Sequence, residues 1–201
     1  MINIPNTRCD RIAEPISSKG FYLKTVLEEF QIAHPHDEGK IIGPAKREFM
    51  KSRKAVAIMV HCSGEDRILM SRQFRMPVFN DTGSAEGAWI YEIIAGVVDD
   101  GEQSVETAIR EAKEEAGIEL KRSDIYYVGS FYTSPGISTE KIDIFTCDIE
   151  KVVPIDRNGG LAGEAEAIVS EWLSYEDVRT LMRRGQIMDA KTWIAISEIG
   201  W

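Results

Sequence analysis

The chain has 201 residues, 43% of them apolar and 28% charged, which suits one globular domain with an appendage. A net charge of −9 without a basic run argues against a nucleic-acid scaffold, and no apolar run approaches the ~18 residues of a membrane span. Cys9, Cys62 and Cys147 are too scattered for a zinc site, and MINIPNTRCD lacks the apolar core of a signal peptide, so a reduced, cytoplasmic protein is expected.

In chain order, residues 20–31 mix aromatic and β-branched residues and read as a strand, 34–40 as a polar loop and 45–52 as a second strand. These form a small antiparallel β unit, residues 1–52, too poor in apolar residues to fold alone. The remainder, 53–201, reads as the main domain. Within it, 54–60 is a buried strand, Gly64-Glu65-Asp66 a turn, and 67–74 the returning strand of a hairpin. Residues 76–87 read as a loop, and 89–95 as one strand. After a helix come strands at 125–131 and 141–147, a Gly-rich loop at 156–167, and a strand at 168–173. A helix at 174–184 follows, capped by Ser174 with Asp177 three residues on. A last helix runs from a cap at Asp189 to about Ile199. His34, His36 and His61 are assigned no role. Strands mixed with helices give an α+β fold.

The most informative stretch lies between the 89–95 strand and the one at 125–131. Asp99-Asp100-Gly101 is a turn, Ser104 sits where an N-cap belongs, and Gly117 sits where a helix stops. Val105, Ala108, Ile109, Ala112 and Ala116 share one face of the intervening helix. Glu111, Glu114 and Glu115 crowd one flank. Like charges at such spacings destabilise a helix by about 0.2–0.5 kcal/mol per pair. A solvated acidic face is the bland explanation, softened by Arg110 and Lys113. An oxygen-only cluster also suits a hard divalent cation such as Mg²⁺ or Mn²⁺.

Gly96, Glu102, Arg110, Glu111, Glu114, Glu115, Gly117 and Ile118 together match G-x5-E-x7-R-E-U-x-E-E-x-G-U, where U is a bulky apolar residue. The string resembles the Nudix box, with only Ala112 smaller than its pattern. Gln73-Phe74-Arg75, the run Glu92–Gly96, Ser134-Pro135-Gly136 with Glu140, Gly159–Glu166 and Gly185–Thr192 further resemble the branch that holds ADP-ribose and GDP-mannose pyrophosphatases.

This resemblance implies an α/β/α sandwich over about residues 54–200 and hydrolysis of the pyrophosphate bond of a nucleoside diphosphate sugar. ADP-ribose, giving AMP and ribose 5-phosphate, is the first expectation, and GDP-mannose is the alternative. From a different functional class, a catalytically inactive nucleotide-sugar sensor is carried as well. Two to three Mg²⁺ or Mn²⁺ ions are implied, held by Glu111, Glu115, Glu166 and the Ala95 carbonyl, with Glu114 either a further ligand or a support behind them. Glu164 is the expected general base, acting with Glu111 and Glu115. Arg47, Arg75, Pro135 and Glu140 are the expected substrate contacts, the alternatives being an exposed Arg47, a surface arginine at a strand end for Arg75, a loop-stiffening Pro135 and a surface ion pair for Glu140. Phe21 or Tyr22 could stack on the base or belong to the core. Glu102 and Arg110 are expected to pair and hold the turn to the helix. The scarcity of apolar residues in 1–52 points to a homodimer with exchanged N-terminal strands, the resemblance implies that the partner's segment borders the substrate pocket, and charge and hydropathy point to neither a nucleic-acid nor a membrane partner.

Overall fold

The computed structural model describes residues 8–20, 23–156 and 168–200 and divides the chain into two units, Met1–Arg53 with Tyr132–Glu140 and Lys54–Phe131 with Lys141–Trp201. The first unit is a four-stranded antiparallel sheet of β1 (Cys9–Arg11), β2 (Ile16–Lys19), β3 (Lys24–Ala33) and β4 (Ile41–Met50). β3 is central. Short β1 and β2 share one of its edges, pairing Cys9 with Ile32 and Ile16 with Leu27, while β4 runs along the other. The sequence predicts two strands here. The other two, CDR and ISSK, are too short and polar to show an alternating pattern. β4 also begins earlier than expected, because Pro44 obscures a strand whose edge position tolerates it. Of the described strand residues in this unit only Val26 and Ala33 are buried. Residues 137–139 lie against the end of β4: Met50 N donates to the Ile137 carbonyl at 2.8 Å, and Thr139 N donates to the Met50 carbonyl at 3.0 Å.

In the second unit, β5 (Ala55–Cys62) and β6 (Arg67–Phe74) form the expected hairpin, but it is bonded only near its turn, at His61–Ile68 and Cys62–Arg67. Beyond those pairs the strands splay. The run read as a single strand fills the opening as two: β7 (Trp89–Glu92) pairs with β6, and β8 (Ile94–Val97) pairs with β5. Ile93 is the joint between them. Between β6 and β7, where the sequence reads as loop, α1 (Met76–Thr82) forms a short helix with a proline in its first turn and Gly83 at φ 66° as its stop. It buries no residue, so it has no apolar stripe for a sequence reading to detect.

α2 (Ser104–Ala116) follows β8, and β9 (Ile125–Tyr132), β10 (Lys141–Asp148) and β11 (Ile168–Ser174) complete a seven-stranded mixed sheet of order β11-β6-β5-β10-β9, with β10 parallel to β5. α3 (Tyr175–Arg183) and α4 (Ala190–Ser197) close the chain. Both begin at the predicted caps: the amides of Asp177 and Thr192 donate to the side chains of Ser174 and Asp189.

Strand alternation sorts the core into two sides. Val56, Ile58, Val60, Leu69 and Ile94 pack with Ala108, Ala112 and Ala116 of α2. Ala57, Met59, Ile68, Met70 and Ile93 pack with Val178 of α3 and with Ala195 and Ile196 of α4. The result is the expected α/β/α sandwich. Among the described residues no helix is long and apolar enough to cross a membrane.

Candidate active site

The acidic helix is presented by three local devices. The Asp99–Glu102 turn closes through Glu102 N donating to the Asp99 carbonyl at 3.0 Å, with Gly101 at φ 85°. Gly117, at φ 67°, stops α2, and its amide reaches the carbonyls of Ala112 and Lys113. The third device differs from expectation. Gln103, not Ser104, holds the N-cap position, without a side-chain cap bond. Ser104 instead bonds the Asp143 carboxylate of β10, which also receives Ser130 and pairs with Lys54 at 2.5 Å. Burial alone would raise the Asp143 pKa, but these partners more than offset it, and the group is held below its ordinary value. Asp143 thus ties the start of α2 to the sheet. The sequence reading misses it, although a lone aspartate inside the apolar run IDIF is the signal that marks it.

Arg110 lies at the centre of the acidic cluster. Its guanidinium meets Glu102 at 3.3 Å, Glu111 Oε1 at 2.8 Å and Glu114 Oε2 at 3.0 Å, and it donates to the Val97 carbonyl at 3.4 Å. Burial tends to lower its pKa, but the hydrogen bond to Glu102 and the charges of Glu111 and Glu114 raise it above the ordinary arginine value. The Glu102–Arg110 pair is therefore formed, and the same arginine gathers the helix glutamates. Glu115 is buried at 8% exposure.

Gly96 lies within β8 beside this cluster. A Cβ built on it would fall 2.0 Å from Glu111 Oε1 and 2.1 Å from Cδ. Its backbone is not in the left-handed region. A side chain at this position would displace the Glu111 carboxylate, which lies directly over it. Ala95, the expected carbonyl ligand, is the neighbouring residue on β8.

These donors fit a hard divalent cation. All are oxygens, and Glu111 and Glu114 already converge on one cationic atom, Arg110 Nη1. Among the described residues no three His, Cys, Asp or Glu side chains are grouped so as to hold a metal ion by themselves. Glu164 and Glu166, expected to supply the base and a further ligand, lie outside the described residues, as do Phe21 and Tyr22.

The expected substrate contacts fall in both units. Arg75, in the second, is half-buried at the end of β6 and forks onto Glu92, with Nε to Oε1 at 2.6 Å and Nη2 to Oε2 at 2.8 Å. Glu92 is buried and also pairs with Lys191 of α4. Burial pushes its pKa up, and the two cations more than reverse this, leaving it below the usual carboxylate range. Arg47, Pro135 and Glu140 belong to the first unit. Arg47 is exposed on β4 and donates to the Lys46 carbonyl at 2.9 Å. Pro135 is exposed in the loop after β9. Glu140 closes that loop, accepting from Thr133 Oγ1 at 2.7 Å while its amide donates to Ser138 Oγ at 3.1 Å.

Comparison with known proteins bears on the same stretch. A NUDIX domain is matched over residues 51–192. An ADP-ribose pyrophosphatase of Bacillus subtilis is 33% identical over 152 residues, 76% of this chain and 75% of that protein. A GDP-mannose pyrophosphatase of Cronobacter sakazakii is 26% identical over 188 residues, 94% of this chain and 93% of that protein. Among solved structures, one described as an ADP compounds hydrolase superposes with a TM-score of 0.66, covering 94% of each chain at 16% identity, a likeness of fold.

Proposed function

Because the chain belongs to the NUDIX domain family, we propose that it is a divalent-metal-dependent pyrophosphohydrolase of nucleoside diphosphate sugars, with ADP-ribose as the favoured substrate, cleaved to AMP and ribose 5-phosphate. One observation carries the reading: Glu111 and Glu114 converge on one cationic atom beside a glycine that only a closely approaching carboxylate requires. A solvated acidic face has no use for that glycine.

Glu111, Glu114 and Glu115, with the Ala95 carbonyl and Glu166, are the residues that would hold two to three Mg²⁺ or Mn²⁺ ions. When bound, such ions supply neutralisation of the pyrophosphate oxygens and acidification of the attacking water. Glu164 takes the proton from that water. Arg110 holds Glu102, Glu111 and Glu114 in place. Arg75, Arg47, Pro135 and Glu140 orient the substrate, and a guanidinium fork of the kind Arg75 already makes onto Glu92 is suited to phosphate oxygens. The intact carboxylate set favours catalysis over a sensor role.

We further infer a homodimer with exchanged N-terminal strands, residues 1–52 facing the partner. Ile12, Ile16, Leu23, Ile41 and Ile42 of that unit are all exposed, which supports a covering subunit. Cys9, Cys62 and Cys147 are unpaired, which supports a reducing, cytoplasmic setting.

A substrate panel tests the reading. ADP-ribose, GDP-mannose, UDP-glucose, NADH and diadenosine polyphosphates are offered with Mg²⁺, and the monophosphate products are measured. ADP-ribose is expected to give the highest kcat/KM. Preference for GDP-mannose would move the assignment to the alternative, and no metal-dependent product from any of them would favour the sensor.

A further inference from the structure

Ile93 is the joint of the sheet. β7 ends at Glu92 on β6, and β8 begins at Ile94 on β5, so the Ile93 amide falls between two ladders. Ile93 is 1% exposed, and a buried amide without an acceptor is costly. Thr192 Oγ1 of α4 accepts it at 3.0 Å. Thr192 is itself wholly buried, and its hydroxyl proton is committed to Asp189 Oδ2 at 2.5 Å, which leaves its oxygen lone pairs for Ile93. Asp189 also takes the Thr192 amide at 3.0 Å, and its carboxylate lies 3.0 Å from Lys191 Nζ. Lys191 in turn pairs with Glu92, the residue just before the joint. One turn of helix thus clamps two consecutive residues of the strand from its side chains.

The clamped strand carries the site. Gly96 lies three residues past Ile93, roughly 10 Å along an extended chain, and the Glu111 carboxylate is seated on it. A change of tilt at Ile93 moves Ala95 and Gly96 against α2, and with them the spacing between the strand carbonyl and the helix carboxylates.

We propose that Asp189, Lys191 and Thr192 are positioning residues for the metal-binding edge of β8, acting through Ile93 and Glu92 and touching no substrate. The inference rests on the metal-dependent reading above. Thr192→Val removes the acceptor at nearly constant shape, and Thr192→Ser restores it. In the metal-free protein, hydrogen exchange at the Ile93–Gly96 amides should rise about tenfold or more in T192V and stay near wild type in T192S. The dissociation constant for Mn²⁺, read from the free-ion electron paramagnetic resonance signal, should rise several-fold in T192V alone. The Mg²⁺ concentration for half-maximal hydrolysis should follow it, with KM for the nucleotide changed less. A T192V protein with wild-type Mn²⁺ affinity, or a T192S protein as impaired as T192V, overturns the proposal. If T192V does not fold, Asp189→Asn is measured the same way, with the same supporting and overturning outcomes. Wild-type protein that binds Mn²⁺ but hydrolyses nothing would defeat the functional reading and leave the positioning test decidable by exchange and metal affinity.

Discussion

Glu111 occupies the space that a side chain at Gly96 would need: the virtual Cβ lies 2.0 Å from its Oε1 and 2.6 Å from its Cγ. All three of the nearest atoms belong to one movable side chain, and the Gly96 backbone is in a region open to any residue. Gly96→Ala therefore expels Glu111 without breaking the sheet. The unfolding midpoint should shift little, while hydrolysis falls by about 10²-fold or more, the scale of losing one catalytic group. Calorimetry and initial rates on the same preparation check this, and a variant with normal rate would show that the Glu111 position does not matter.

Arg110 should matter most when no metal is bound. It meets Glu102, Glu111 and Glu114 at once, and Arg110→Met leaves three carboxylates facing one another. Hydrogen bonds to charged groups contribute about 1.5–3 kcal/mol when buried, and partial exposure here reduces that to roughly 1–2 kcal/mol. The metal-free variant should melt several degrees below wild type, and millimolar Mg²⁺ should recover more of that loss than it adds to the wild type. An equal Mg²⁺ shift in both proteins would place the ion away from these carboxylates.

The box and the layer order were legible in the sequence because both are periodic or fixed in spacing. The glutamates recur on one flank of α2, and β5 alternates between two helical layers. What was hidden depends on contacts between distant residues. The break at Ile93 leaves no mark in WIYEIIA, since both halves are equally apolar; it follows from the splaying of β5 and β6. Ser104 looked like a cap because serine usually caps, but Asp143, 39 positions away, offers its hydroxyl a charged acceptor.

His61 gives a pH dependence remote from the box. It is buried at the far end of β5, bonded through Nδ1 to the Tyr175 hydroxyl at 2.9 Å. Burial lowers its pKa, and the nearby Asp148 only partly counters this. The folded protein resists a proton that the unfolded chain accepts near pH 6.5. The unfolded state thus binds more protons below that value, and stability rises with pH. The contribution is complete above about pH 6.5 and is lost as pH falls toward the lower folded-state pKa. Denaturant melts at pH 7.5, 6.5 and 5.5 should show this decline in wild type and a shallower one in His61→Asn. Parallel profiles would assign the pH dependence to other groups.

Glu164 and Glu166 are two residues apart, yet the proposed roles predict different kinetic signatures. A base acts on the attacking water, so Glu164→Gln should lower kcat by about 10²–10⁴-fold and leave KM for the nucleotide nearly unchanged. A ligand acts through the ion, so Glu166→Gln should raise the Mg²⁺ concentration for half activity and recover much of its kcat at saturating metal. Both are glutamine substitutions of the same size, and a single series of rate measurements against Mg²⁺ at fixed ADP-ribose separates them. If Glu166→Gln fails to recover at saturating metal while Glu164→Gln does, the two assignments exchange. If both keep wild-type kcat and metal dependence, the base belongs among the other carboxylates, with Glu114 and Glu140 the next to replace.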